Sequence, residues 1–258
     1  MLIDTHAHLD LYEGDLDCAL DQIEKYRILT VTSAMDIPSW QRNLEIREKS
    51  QLIIPTFGIH PWNAPRYADC LDELTGPVKQ TPILGEVGLD HRFVEDRSQY
   101  AAQKKVLEYF LDAACKDDKI VVLHTAGAEE EILVLLKRYN IKRTIIHWFS
   151  GPLDILDGLL ACGVYFTIGP ELVYSEHIKR IANTIPDNLL LTETDNPGGP
   201  KWLTGKQGMP VLIRDVVNSL ARLKGTSAEA ITEQVKVNFL KLIGNDPFCE
   251  RIKMLLEE

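Results

Sequence analysis

The chain contains no Cys-x-x-Cys pair. Its five cysteines, Cys18, Cys70, Cys115, Cys162 and Cys249, are odd in number and scattered, which argues against both a disulfide framework and a zinc ribbon. No apolar run approaches the roughly 20 residues that cross a bilayer, and residues 1–10 mix Asp and His into a short apolar start, so neither a membrane span nor a signal peptide is expected. Basic residues are in deficit, 28 Lys and Arg against 38 Asp and Glu, for a net charge of −10. A protein that coats nucleic acid carries the opposite balance, with cationic stripes along its surface. A phosphate-bearing substrate stays compatible with the acidic balance, because bound divalent ions invert the local field. There is no linker, no low-complexity tract and no glycine-rich phosphate loop after the first apolar run. These absences lead to an expectation of a soluble, monomeric protein of the cytoplasm, with no membrane partner.

What is present is 45% hydrophobic residues over 258 positions, enough for a large buried core. Short Val- and Ile-rich runs recur: "MLID" (1–4), "ILTVTSA" (28–34), "LIIPTF" (52–57), "PILGEV" (82–87), "KIVVLH" (119–124), "RTIIHW" (143–148), "VYFTI" (164–168) and "NLLLTET" (188–194). Between them lie segments of helical periodicity, clearest over 98–118, 128–140 and 153–163, with a last helix over 227–244. Strands that are apolar throughout, alternating with helices, imply a parallel sheet covered on both faces. Eight of them in about 250 residues predict a (β/α)8 barrel, here as one domain over residues 1–258.

The stretch "DTHAHLD" (4–10) places His6 and His8 two residues apart at the end of the first run. In a strand, such side chains share one face, about 7 Å apart along the chain, and can reach one metal ion. Alone, the pair is equally compatible with polar residues leaving a strand. It has counterparts, however: Glu86 follows "PILG", His124 ends "KIVVLH", His147 follows "RTII", Asp195 follows "NLLLTET", and His60 lies in "GIHPW" just past the third run. In a (β/α)8 barrel these ends converge on the face where active sites are built. Imidazoles and carboxylates gathered there suit two divalent ions such as Zn²⁺, Mn²⁺ or Co²⁺, with Mg²⁺ also considered. Two such ions lower the pKa of water and neutralise charge on a polarised oxygen, and Asp195 is placed to serve as general base and then acid. Asp4 and Glu193 are candidates to orient the histidine rings.

The ordered series "DTHAHLD", "GIHPW", "LGEVGLD", "VVLHT", "IIHWFSG" and "LLLTETDNP" resembles the signatures of the TatD-type metal-dependent hydrolases, a family of amidohydrolase-like barrels, and the resemblance runs from residue 4 to about residue 243. It implies that His6 and His8 bind one metal together with Asp195. Glu86 would bridge to a second metal completed by His124 and His147, and His60 would lie near the substrate phosphate. It further implies hydrolysis of phosphodiester bonds of DNA, often as a 3′-to-5′ exonuclease.

The sequence departs from the pattern on the substrate side. Ala126 stands where the family usually has an arginine, His91 and Arg92 replace a common aromatic pair, and "DNP" occurs where a small residue usually follows the aspartate. Arg92, Lys201 and Lys206 are the cations expected to contact substrate, Lys201 or Lys206 standing in for the missing arginine, and Trp148 and Trp202 offer faces for a base. The expected substrates are DNA ends, short oligonucleotides or another small phosphoester. A deacylase or amidase with the same metals, or a metal-binding partner protein without activity, are the competing readings.

Overall fold

Each of the eight expected apolar runs forms a strand in the computed structural model, which describes residues 1–257. The strands are β1 (Leu2–Ala7), β2 (Ile28–Thr32), β3 (Ile53–Pro55), β4 (Ile83–Gly88), β5 (Ile120–His124), β6 (Thr144–Ile146), β7 (Tyr165–Ile168) and β8 (Leu190–Thr192). The helices, in chain order, are α1 (Leu16–Tyr26), α2 (Ile37–Arg47), α3 (Ala64–Tyr67), α4 (Thr75–Gln80), α5 (Tyr100–Asp117), α6 (Glu129–Tyr139), α7 (Leu153–Ala161), α8 (Glu176–Thr184), α9 (Gly198–Thr204), α10 (Ile213–Lys224), α11 (Ala228–Ile243) and α12 (Glu250–Glu257).

All strand pairs are parallel, in two sheets ordered β1-β2-β3 and β4-β5-β6-β7-β8. The two seams between the sheets are bridged. After β3, the Phe57 amide donates to the Ile83 carbonyl and the Gly85 amide to the Phe57 carbonyl. After β8, the Asp195 amide donates to His6 O at 2.9 Å and the His8 amide to Asn196 O at 2.7 Å. The Thr5 and Thr192 hydroxyls add bonds to Thr192 O and Ile3 O. This is the (β/α)8 architecture the strand–helix alternation predicts.

Several strands are shorter than their apolar runs. "NLLLTET" is a strand only over Leu190–Thr192: the Glu193 amide still donates to Ile168 O of β7, but from Thr194 onward the chain turns into the mouth of the barrel and bonds to β1. The helix expected over 98–118 starts at Tyr100, because the Asp96 carboxylate accepts from the Ser98 amide and holds a separate 3-10 turn over Arg97–Gln99. The segments 128–140 and 153–163 form α6 and α7. The first ends with Asn140 in the left-handed region (φ 53°), and Gly163 (φ 75°) supplies the turn after the second, the usual way a helix exits. Among the described residues no helix is long and apolar enough to cross a membrane.

The expected last helix, 227–244, is α11, capped by the Ser227 hydroxyl, which accepts from the Ala230 amide. It does more than cover the outside. Asn238, 1% exposed, donates through Nδ2 to the carbonyls of Asp187 and Leu190, each at 2.7 Å. The helix thereby pins the entry of β8, the strand that delivers Asp195. Asn238→Ala leaves the buried Leu190 carbonyl and the Asp187 carbonyl without this donor and is expected to cost about 1–3 kcal/mol; chemical denaturation with an unchanged m-value is the measurement.

Candidate metal centre

The strand ends place five of the seven histidines and two carboxylates around one point. His6 is the fifth residue of β1 and fully buried, and His8 follows that strand. Their Nε2 atoms are 3.2 Å apart, so the shared face expected from their spacing is realised. One oxygen of Glu86, Oε2, lies 3.5 Å from His6 Nε2 and 3.4 Å from His8 Nε2. Asp195 Oδ1 is 3.6 and 3.4 Å from the same two nitrogens. Four donors at about 2.1 Å from a tetrahedral ion would be separated by about 3.4 Å. The separations among His6, His8 and Asp195 thus fit a cation held by these three, with Glu86 Oε2 beside the two histidines.

The other oxygen of Glu86 builds a second cluster. Glu86 Oε1 is 2.8 Å from His124 Nδ1 and 2.7 Å from His147 Nε2, and those two nitrogens are 3.2 Å apart. His60 Nε2 approaches the same oxygen at 3.5 Å. Ligand atoms of His6, His8 and Asp195, of His6, Glu86 and His147, and of His60, Glu86 and His124 each fall within 4.8 Å of one another.

The hydrogen bonds on the far side of each ring show what these nitrogens want. His8 Nδ1 lies 3.0 Å from the Ser33 carbonyl, which can only accept, so the ring proton sits on Nδ1 and the lone pair of Nε2 faces two carboxylates. His124 Nε2 faces Asp90 Oδ2 at 3.2 Å, leaving the Nδ1 lone pair against Glu86. An acceptor facing an acceptor is satisfied only by a proton or a metal ion between them. The electrostatics record the same demand. Burial opposes a charged imidazole, yet Asp195 and Glu86 hold the pKa of His8 well above the usual range, and Asp90 and Glu86 raise that of His124. His147 is carried up to about 10 against burial by Glu86 and Glu193. The carboxyl of Glu86, against the same burial, is held well below the usual range by His147, His60 and His6. This donor set fits divalent metal ions.

Comparison with known proteins agrees with that chemistry. The family profile described as TatD related DNase matches residues 3–244. The chain belongs to this family. A TatD-type relative, the Bacillus subtilis protein named as an uncharacterized metal-dependent hydrolase YabD, is 27% identical over 94% of this chain and 98% of its own length. The human deoxyribonuclease TATDN3 is 25% identical over 93% of this chain and 94% of its own. The crystal structure of YjjV, a TatD homologue from Escherichia coli, superposes with a TM-score of 0.84 at 25% identity, covering 93% of this chain and 97% of that one. The protein is a TatD-family metal-dependent hydrolase.

Around this TatD centre, some partners differ from the sequence expectation. Asp4 does not orient a histidine ring. It is buried and accepts from the Thr194 amide and hydroxyl at 3.0 and 2.6 Å, tying β1 to the segment that carries Asp195, and burial pushes its pKa up to about 8. Glu193 does face a ring: its Oε2 lies 3.6 Å from His147 Nδ1, both atoms being buried without a hydrogen bond. Its Oε1 accepts from the Trp148 amide, which supports a tryptophan held at a positive φ of 42°. Sequence reasoning missed Ser33, whose hydroxyl meets His6 Nδ1 at 3.1 Å, and Asp90, which also accepts from Trp62 Nε1 at 2.7 Å. Asp90 lay inside the quoted motif "LGEVGLD"; Ser33 had no signal beyond its place at a strand end.

The centre opens into a cavity of about 550 Å³ whose wall includes Trp62, Arg92, Phe93, Trp148 and Trp202. Arg92 bonds to the Ser150 hydroxyl at 2.9 Å and lies 3.6 Å from Glu129. Lys201 and Lys206, expected to contact substrate, are exposed and form no part of that wall, to which α9 contributes Gly198, Gly199 and Trp202. Arg92 is the cation the wall offers, and Trp148 is held by its indole N–H, which donates to Glu171 at 2.6 Å.

Gly58, in "GIHPW", lets this segment lie against the peptide of Glu86: a Cβ there would come within 2.5 Å of Glu86 O. Gly58→Ala must move one backbone or the other. We expect a loss of about 1–3 kcal/mol together with weaker metal binding, measured by thermal denaturation and by competition with a chromogenic chelator.

Proposed function

We propose that this protein is a phosphodiesterase that cleaves DNA ends or short oligonucleotides, in the manner of a 3′-to-5′ exonuclease. The observation that carries the reading is the division of Glu86 between two donor clusters. His6, His8, Asp195 and Glu86 would hold one divalent ion, of Zn, Mn, Mg or Co, and Glu86, His124 and His147 a second. Such ions supply Lewis acidity, lowering the pKa of water and neutralising charge on a phosphoryl oxygen.

The chain's own residues supply the rest. Asp195 adopts the left-handed region (φ 51°), which aspartate tolerates, and its side chain keeps 23% exposure while Glu86 keeps 2%. It is the carboxylate placed to take a proton from the attacking water and pass it to the leaving oxygen. His60 accepts from the Trp62 amide through Nδ1 at 3.2 Å, so its proton sits on Nε2. Burial lowers its pKa to about 4, against the charge of Glu86. A neutral imidazole with N–H aimed at the cluster is a donor to a substrate oxygen, which separates His60 from the rings that present lone pairs. Arg92 provides a charged contact to a phosphate, and Trp62, Phe93 and Trp202 offer apolar faces to a terminal base. A single wall cation favours short or terminal substrates over long duplex. The five cysteines are all free thiols, which suits the reducing cytoplasm we propose for it.

The aromatic wall also supports a second reading, a deacylase or amidase acting on a small apolar ester or amide. A substrate panel separates the two. Chelator-stripped protein, reloaded with defined metals, is expected to cleave single-stranded oligonucleotides and a nitrophenyl phosphate diester; turnover of carboxylic esters alone would establish the second reading instead. Elemental analysis of the reloaded protein is expected to give two ions per chain, and one after His124→Ala. Asp195→Asn is expected to keep its fold, seen by circular dichroism, while kcat falls by about 10² or more; unchanged kcat at full metal loading would remove Asp195 from the mechanism.

A further inference from the structure

The seam between β3 and β4 is joined only near the metal centre. At the opposite end, Ile53–Pro55 of β3 pairs with β2 alone, and the first link to β4 is at Phe57 and Leu84. Pro55 and Pro82 flank the opening, and neither has an N–H to pair across it. The strands part there and leave a cavity of about 830 Å³ between the ends of α2 and α4 and the face of α12.

The wall of this cavity reverses the sign of the protein. Arg47, Lys79 and Arg251 line it and make no ion pair among the described residues, whereas Lys49 is shared with Asp17 and Glu24 is engaged by the Ser50 hydroxyl. Glu48 is the other wall acid, so cations outnumber anions in a chain of net charge −10. Trp40 also lines the cavity at 6% exposure, and its indole Nε1–H is a buried donor with no partner, an uncommon condition in folded proteins. Leu44, Ile54, Ile252 and the half-exposed ring of Phe248 make up an apolar side. Unpaired guanidinium groups suit a phosphate, the apolar side suits a flat ring, and the volume lies in the range of small-ligand sites.

We propose that this cavity is a second, non-catalytic binding site for a small organic phosphate of the nucleoside monophosphate class. Arg47, Lys79 and Arg251 hold the phosphate, and the apolar side packs against the base and sugar. The site stands on the opposite end of the strands from the metal centre and requires no particular reaction there.

Calorimetry on the full, chelator-stripped chain tests this without engaging the metal centre. Deoxyadenosine monophosphate is expected to bind, with deoxyadenosine and inorganic phosphate each weaker by about tenfold or more. The double replacement Arg47→Glu/Lys79→Glu, confined to exposed side chains, is expected to weaken the monophosphate by about tenfold, while turnover by the metal-loaded protein is unchanged. Absence of binding at millimolar concentration, binding indifferent to the double replacement, or binding abolished instead by Arg92→Ala would overturn the proposal, the last by placing the ligand in the catalytic cavity. None of these readouts depends on which bond the metal centre cleaves.

Discussion

A carboxylate with almost no solvent, Glu86, is the constraint around which the rest of the site is arranged. A buried charge of this kind is stable only when opposite charge and hydrogen bonds surround it. Here the surroundings are imidazoles from β1, β5 and β6 and from the loop after β3, all within 3.5 Å of one or other oxygen. Without a cation, the cluster can be neutral only by protonating histidines whose far nitrogens are already committed to Ser33 and Asp90. The site is therefore built around positive charge, which protonated imidazoles or a bound cation can supply, and the far-side partners Ser33 and Asp90 set the tautomers of His8 and His124.

The scaffold holds that arrangement through contacts that carry no chemistry of their own. Asp4 fastens Thr194, and backbone bonds from Asp195 and His8 close the seam between β8 and β1, so the carboxylate and the two histidines it faces move as one piece. Asn238 on α11 anchors the other end of β8. Gly58 brings the His60 loop against the Glu86 peptide. Metal binding and fold stability are linked through these contacts, since a shift at any of them changes the separations among the donors.

Away from the donors, the mouth is aromatic and poor in cations. Trp62, Phe93 and Trp202 are each at least half exposed at the rim, an unusual expense of large apolar surface unless something covers it. With Arg92 partly engaged by Glu129 and Ser150, attraction of a polyanion at long range is weak. The acidic surface outside works in the same direction.

Much of this was legible in the amino-acid sequence. Continuous Val and Ile runs determine parallel strands buried on both faces, and the periodicity of 98–118, 128–140, 153–163 and 227–244 determines the helices between them, because both signals are local. The positions of His6, His8, Glu86, His124, His147 and Asp195 at strand ends follow from the same pattern, since a (β/α)8 topology turns equivalent positions toward one point. Partners brought in from other strands were not legible. Whether Asp4 meets a ring or a threonine, that Ser33 and Asp90 set the tautomers, that His60 presents a proton and not a lone pair, and that Lys201 and Lys206 lie off the cavity wall all depend on separations across the barrel. Those separations are decided by packing between segments far apart in the chain, where neither spacing nor composition reaches, and only the tertiary structure could settle them.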